Sequence, residues 1–432
     1  MESFESLKIK NTLPQTFESA DFSIELNCRG SNEYEKVSFP VKYGLFSRLK
    51  TRDYLFEFNL NHEIRQAKSR GKNWLDPSEW LKRTMGNDWV YYSTGGYSGV
   101  YEALGEYYLP NLVYPTNSLL GGKPFKEEAI NEIIRNWHQI ISQLPAANMP
   151  ENFSRWLHAV REKTPEILQE KAQNLFDISG SRVTVMPPDA RHVDYNIIPI
   201  TICDGCLYKC RFCKVKNKKE VSIRSRQDIS GQVSRLKRLY NKDIVNFNAL
   251  FLGEHDALNA SPELILKTVQ DAWEAFEFQA SYMKGNYLFL FGSVDSFLSA
   301  KRTFFEDLNP LPFQTFINIG LESYDQSTLD FLGKPITEKQ VGLAFEKAQM
   351  INDRFSNIEI TCNFVMDDTL PDSHYKALMA LIRETVARPK PKGCIYLSPL
   401  KFDHPSRQVL YDFYKLKSLS RLPTFLYLIQ RL

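Results

Sequence analysis

At 432 residues the chain is longer than one ordinary compact domain, although a single β/α barrel could absorb much of it. Hydrophobic residues make up 43%, charged residues 24% and aromatics 13%, which supplies a sizeable core and excludes general disorder. The formal net charge of +3 argues against a chain built for nonspecific phosphate binding.

The chain opens MESFESLKIKNTLPQTFESADF, which lacks the apolar core of a secretory leader. No stretch approaches the roughly 18 uninterrupted apolar residues of a membrane span. The expectation is a soluble, cytoplasmic protein from a reducing compartment, with no membrane partner.

Residues 1–183 lack a strand–helix rhythm. Phe22–Leu26 and Tyr54–Phe58 read as short strands, and aromatics crowd positions 74–108 around S-T-G-G-Y-S-G at 93–99. Ile130, Ile133, Ile134, Trp137 and Ile141 then recur at helical spacing, and a second helix is read over 151–176. This portion is expected to be a mostly helical N-terminal accessory domain. Its aromatics read as that domain's core in preference to a ring-stacking surface over the site.

From about 195 the pattern changes. Apolar runs at Ile197–Ile202, Ala249–Leu252, Tyr287–Phe291, Thr315–Ile319, Ile358–Val365 and Cys394–Leu397 alternate with helical segments. Ser261–Pro262 supplies a cap and a first-turn proline for one of them. Short buried strands separated by helices give an α/β fold with a parallel sheet. Six units fit a partial (β/α)6 TIM-like barrel. The expected division is accessory domain 1–183, barrel 184–403 and a closing helix or extension over 404–432.

Four of the seven cysteines fall together, in ICDGCLYKCRFCKVKNKK. Cys206, Cys210 and Cys213 have the spacing C-x3-C-x2-C directly after the first barrel strand, and Cys203 precedes them by three. Thiolates converging from one loop suit an iron–sulfur cluster or zinc, and unligated buried thiols are the bland reading. Barrels carry their chemistry at the C-terminal ends of strands, where this loop lies, and that favours a catalytic cluster. Six basic residues between Lys209 and Lys219 read equally as a rim for an acidic partner and as a solvated loop.

C-D-G-C-L-Y-K-C-R-F-C resembles the cluster loop of the radical S-adenosylmethionine (SAM) superfamily, including Phe212 before the last cysteine. F-L-G-E-H-D-A-L at 251–258, I-N-I-G-L-E-S at 317–323 with D-x3-L-x2-L-G-K to 334, and I-T-C-N-F-V-M-D-D at 360–368 resemble its later strand motifs. The form is that of the coproporphyrinogen oxidase, methylthiotransferase and elongator-like branches, over roughly residues 195–400. The resemblance implies that Cys206, Cys210 and Cys213 hold three irons of a [4Fe-4S] cluster and that SAM binds the fourth. It implies Gly253, Glu254 and His255 near the methionyl amino group, Glu322 and Ser323 near the ribose or methionyl end, and Asn363 and Phe212 near the adenosine. A small organic substrate and a reducing donor such as flavodoxin or ferredoxin follow as partners. RNA modification, or a non-catalytic iron–sulfur or zinc protein, is the alternative, and nucleic acid is the less favoured partner because no separate RNA-binding module is legible.

Overall fold

The computed structural model describes residues 12–34, 43–71, 74, 80–92, 109–110, 127–213, 220–400, 407–427 and 431–432. The glycine-rich stretch at 93–99, the tyrosines from 97 to 108 and the lysines at 214–219 lie outside these residues.

The N-terminal region carries an antiparallel meander of eight strands paired in chain order. They are β1 (Gln15–Glu18), β2 (Phe22–Arg29), β3 (Leu45–Thr51), β4 (Tyr54–Phe58), β5 (Ile64–Ser69), β6 (Trp80–Arg83), β7 (Trp89–Tyr92) and β8 (Leu109–Pro110). Helices α1 (Glu127–Ser142), α2 (Glu151–Arg161) and α3 (Pro165–Ser179) follow. Ile24, Leu49, Phe56, Phe58 and Leu81 from one face of the sheet pack against Ile133, Trp137, Trp156 and Leu157 of the helices. The expectation of a mostly helical region is therefore corrected: helices and sheet share it. Charged residues on and beside these strands break the apolar alternation because they fold into buried ion pairs. Glu57, Glu63, Lys82 and Arg83 are all buried. Trp74 belongs to the core between sheet and helices, and Trp80 to a second core shared with the barrel strands.

The barrel sheet has seven strands, all paired in parallel: β9 (Ile198–Thr201), β12 (Ala249–Gly253), β13 (Tyr287–Gly292), β14 (Gln314–Glu322), β15 (Ile358–Met366), β16 (Ile395–Pro399) and β17 (Thr424–Leu426), adjacent in that order. A two-stranded ribbon, β10 (Cys203–Asp204) with β11 (Ser222–Ile223), stands apart. The helices are α4 (Arg226–Tyr240), α5 (Pro262–Ala275), α6 (Val294–Ser299), α7 (Arg302–Leu308), α8 (Gln326–Leu332), α9 (Glu338–Arg354), α10 (Asp372–Met379) and α11 (Arg407–Leu419).

β9 and β12 to β16 are the six strands read from the sequence, so the partial TIM-like barrel stands. Ser261 caps α5 as its sequence suggests, its hydroxyl accepting from Leu264 N at 3.2 Å. The tail differs from expectation, because after α11 it adds β17 as a seventh strand. Three residues behind Pro423 are too short a run to declare themselves in sequence. Alternation along the strands sends Leu250, Leu252, Ile317, Ile319 and Ile360 outward into the helix layer, while Phe251, Phe289 and Phe316 face the lumen. The 3-10 turn Pro188–His192 closes the lumen at the N-terminal ends of the strands, where His192 stacks on Phe316 with centroids 4.7 Å apart.

Candidate active site

The cysteine loop leaves from β10 and returns through β11, where Cys203 pairs with Ile223 and Asp204 with Ser222. Arg224 clamps the base of that excursion. Its Nε donates to Asp204 Oδ2 at 2.6 Å, and its Nη2 donates to Asp204 Oδ1 at 2.9 Å and to Ser179 O at 2.8 Å. Such a bidentate pair fixes direction as well as distance. Gly180, at φ +80°, makes room for it, since a Cβ there would stand 2.2 Å from Arg224 Nη2. Farther along, Tyr208 donates to Asp295 Oδ2 at 2.8 Å and Arg211 N to Leu332 O at 2.9 Å. The loop is thus tied to the end of α3 at its base and to the barrel at its crown.

Cys206, Cys210 and Cys213 all line one cavity of about 220 Å³ at the C-terminal ends of the strands. Burial raises the Cys206 thiol and pushes Cys210 up to about 11, while the Lys334 ammonium draws both down. Cys203 is fully buried, is pushed up to about 12 and is absent from the lining. Among the described residues, no three His, Cys, Asp or Glu side chains are gathered closely enough to hold a single metal ion. A cubane cluster takes its thiolates at separate corners. Three thiols facing one cavity form a donor set that fits it in number and softness.

The rest of the lining is partly charged. β14 shifts register against β15 between Gly320 and Glu322, and Glu322 adopts φ 65°. A non-glycine residue in that region, at a bulge, re-aims its side chain at a conformational cost. Glu322 is held by Lys334, whose Nζ donates to its Oε1 at 3.1 Å and to Gly320 O at 2.6 Å, and which lies 5.2 Å from the centre of the Tyr208 ring. Asp256 lines the cavity while almost wholly buried. Its Oδ1 accepts from Ser293 N at 2.9 Å and Ser296 Oγ at 2.6 Å, but its Oδ2 has no hydrogen-bond partner. Burial raises its carboxyl above the usual range.

Of the residues singled out in the sequence, Phe212, His255, Glu322 and Asn363 line the cavity with the three cysteines. Gly253, Glu254 and Ser323 do not. Glu254 is buried and accepts from Ser181 Oγ at 2.5 Å. Ser323 is buried and shares a hydrogen bond of 2.8 Å with His374 Nδ1. Burial lowers His255 below the ordinary imidazole value. Asp256 and Lys334 were not singled out. Asp256 lies in F-L-G-E-H-D-A-L and Lys334 ends L-G-K, but no local pattern says that one carboxylate oxygen stays unpaired or that a lysine turns inward. Across the cavity stand Phe291, Val365, Leu400 and Tyr427.

No family model matches the chain, and no curated protein matches it in sequence. Among solved structures it is similar to a radical SAM methyltransferase from Sphaerobacter thermophilus, at 15% identity and a TM-score of 0.36, over 54% of this chain and 65% of that one. It is similar to the cobalamin-dependent S-adenosylmethionine radical enzyme OxsB at 17% identity and a TM-score of 0.34, over 54% and 32%. A third likeness is to methylornithine synthase (PylB), at 12% identity and a TM-score of 0.32, over 64% and 68%. The chain spans just under two thirds of the first of these and about a third of the second. No helix among the described residues is long and apolar enough to cross a membrane.

Proposed function

We propose that the chain is a radical SAM enzyme acting on a small organic substrate. The observation that supports this is the company the three thiols keep: one cavity also holds an unpaired carboxylate oxygen on Asp256 and the inward ammonium of Lys334. Those two charges are complementary to the ammonium and carboxylate of an α-amino acid. A soft-metal donor set beside a zwitterion cradle is what SAM bound at a cluster requires.

In this reading Cys206, Cys210 and Cys213 hold three irons of a [4Fe-4S] cluster and leave the fourth for SAM. A cluster held there would supply the one electron needed for reductive cleavage of SAM and hydrogen abstraction from the substrate. Asp256 Oδ2 accepts from the methionyl ammonium, a role the sequence motif had suggested for Gly253, Glu254 or His255. Lys334 uses its remaining N–H toward the carboxylate. Glu322 and Asn363 face the ribose and adenine side, and Phe212 borders the ring. Ser323 acts at one remove by anchoring His374, whose Nε2 holds the carbonyl of Val365 at 3.0 Å. Phe291, Val365 and Leu400 shield the reacting centre from water. A flavodoxin- or ferredoxin-like protein in the cytoplasm is the electron source.

Anaerobic reconstitution with iron and sulfide, then incubation with SAM and dithionite, tests this directly. The expected product is 5′-deoxyadenosine, measured by mass spectrometry. A protein that takes up one zinc, refuses iron and forms no 5′-deoxyadenosine would overturn the reading.

A further inference from the structure

A chain of hydrogen bonds runs from the cavity wall down the lumen to the turn beneath it. Asn363 Nδ2 donates to Asn318 Oδ1 at 2.7 Å, and Asn318 Nδ2 donates back to Asn363 Oδ1 at 3.2 Å. Asn318 Nδ2 also donates to Thr361 Oγ1 at 2.9 Å, and Thr361 donates to Asp189 Oδ2 at 2.7 Å. On the far side Arg191 Nε donates to the Tyr396 hydroxyl at 2.7 Å, and Tyr396 donates to Asp189 Oδ1 at 2.7 Å. Thr361 and Asp189 are fully buried beneath the cavity, whereas Asn318, itself fully buried, and Asn363 both stand in its wall.

We infer that Asp189 is the positioning residue for the cavity: through Thr361 and Asn318 it fixes which way the Asn363 amide faces, and so where a bound ligand meets a donor and where an acceptor. The inference rests on the cavity being the ligand site proposed above.

The reasoning follows the donor inventory. An ionised carboxylate only accepts, so Thr361 must spend its single proton on Asp189 and can offer Asn318 only a lone pair. Asn318 must then turn its NH2 toward Thr361 and its oxygen toward Asn363. That in turn requires Asn363 to present its NH2 to Asn318. Arg191, which cannot accept, closes the other end by forcing the Tyr396 proton onto Asp189. One N–H and one lone pair of Asn363 are left for the cavity, on opposite sides of the amide. If both amides flip, these two change places. A protonated Asp189 permits that flip, because it can donate to Thr361, which can then donate to an oxygen of Asn318. Burial pushes the Asp189 carboxyl up to about 6. Asp189 also faces Arg191 from its own turn, Glu359 from β15, Tyr396 and Cys394 from the β16 side, and Cys362 from β15.

The test uses the metal-free full chain with ¹⁵N in asparagine side chains only, the Asn318 and Asn363 NH2 signals being assigned by their loss in N318S and N363S. Between about pH 5 and about 7.5 both signals should shift with a common midpoint near 6 in the wild type. They should stay still in Asp189→Asn and still titrate in Glu359→Gln. T361V, which deletes the hydroxyl link without touching the carboxylate, should also silence them. S-adenosylhomocysteine should bind Asp189→Asn roughly five-fold more weakly, the effect of one misdirected hydrogen bond. Amide signals that ignore pH in the folded wild type would overturn the inference, whatever the ligand does. Signals that titrate in a protein that binds no S-adenosylhomocysteine would uphold the relay and sink the cofactor reading instead.

Discussion

The N-terminal sheet and the barrel mouth both bury charge, and they finish it differently. On the sheet each of these buried ions faces an opposite charge, although Glu57 Oε2 has only Arg65 at 3.9 Å and no hydrogen bond. Lys82 reaches Asp194, Asn196 and the Tyr43 hydroxyl, Lys171 reaches Glu63 at 2.5 Å, and Arg48 bridges Glu25 and Glu57 at 3.0 and 3.1 Å. At the barrel mouth Asp256 keeps an oxygen unpaired and Asn363 keeps a donor and an acceptor in hand. Leaving a buried polar atom unpaired costs about 1–3 kcal/mol. What sets the barrel mouth apart is that its unfinished groups stand in the wall of a cavity, whereas the charges of the sheet face one another.

The sharpest way to break this contrast is at the thiols. Cys210→Ala should reduce 5′-deoxyadenosine formation to background and lower the iron retained after reconstitution, while the far-ultraviolet circular dichroism stays unchanged. Retained turnover would mean that the cavity is not the reactive centre. On the other side, Lys82→Met should destabilise the fold by about 3–5 kcal/mol in denaturant unfolding, because it strands Asp194 inside. A double variant that also replaces Asp194, which sits at φ 60°, with asparagine should recover much of that loss, because the amide is neutral and tolerates that backbone. A small effect of Lys82→Met alone would show that the sheet does not depend on its closed pairs.

The same contrast explains what could be read in advance. The barrel strands are continuous apolar runs because helices cover one face and the packed lumen the other, so ALFLG and YLFLF declare themselves. The cysteine spacing is equally plain, since all three thiols come from one loop. IRQAKS and WLKR show no clean apolar alternation, yet every residue of WLKR is buried, because its lysine and arginine meet acids contributed from elsewhere in the chain. Pairing over such distances leaves no local pattern. Asp256 and Lys334 were hidden for a related reason: their roles depend on which atoms remain unpaired after the fold has closed.

Asp243 offers a test of intermediate size on the sheet side. It is buried where β5 and β6 approach the barrel, accepts from Asn246 Nδ2 at 2.8 Å and Leu60 N at 3.3 Å, and is pushed up to about 6 by burial. Its folded value lies above its unfolded one, so the folded chain holds this proton more tightly. The stability it contributes is fully present below about pH 4 and is lost as pH rises through about 6. Asp243→Asn cannot ionise. Its stability relative to wild type should therefore climb between about pH 4 and pH 7, by up to about 3 kcal/mol, in urea unfolding at matched ionic strength. A flat difference would mean that the neighbouring Arg65 compensates the buried charge at every pH.

The smallest expected effect is the most telling for the site, because its two readouts move in opposite directions. Asp256→Asn keeps an oxygen for Ser293 N and Ser296 Oγ and replaces the unpaired carboxylate oxygen with an NH2 group. Burial raises the Asp256 carboxyl, so its ionised form is a cost to the folded chain at neutral pH, and the neutral asparagine removes that cost. The variant should unfold at an equal or slightly higher denaturant concentration than wild type. Its affinity for S-adenosylhomocysteine should fall about ten-fold, near 1.4 kcal/mol, because a charge-assisted acceptor for the ligand ammonium has become a donor. A purely structural carboxylate would give the reverse pattern, with lower stability and unchanged affinity. Decarboxylated S-adenosylhomocysteine separates the two ends of the cradle. It lacks the group Lys334 would hold, so Asp256→Asn should weaken it by the same factor as the parent ligand, whereas Lys334→Met should weaken only the parent.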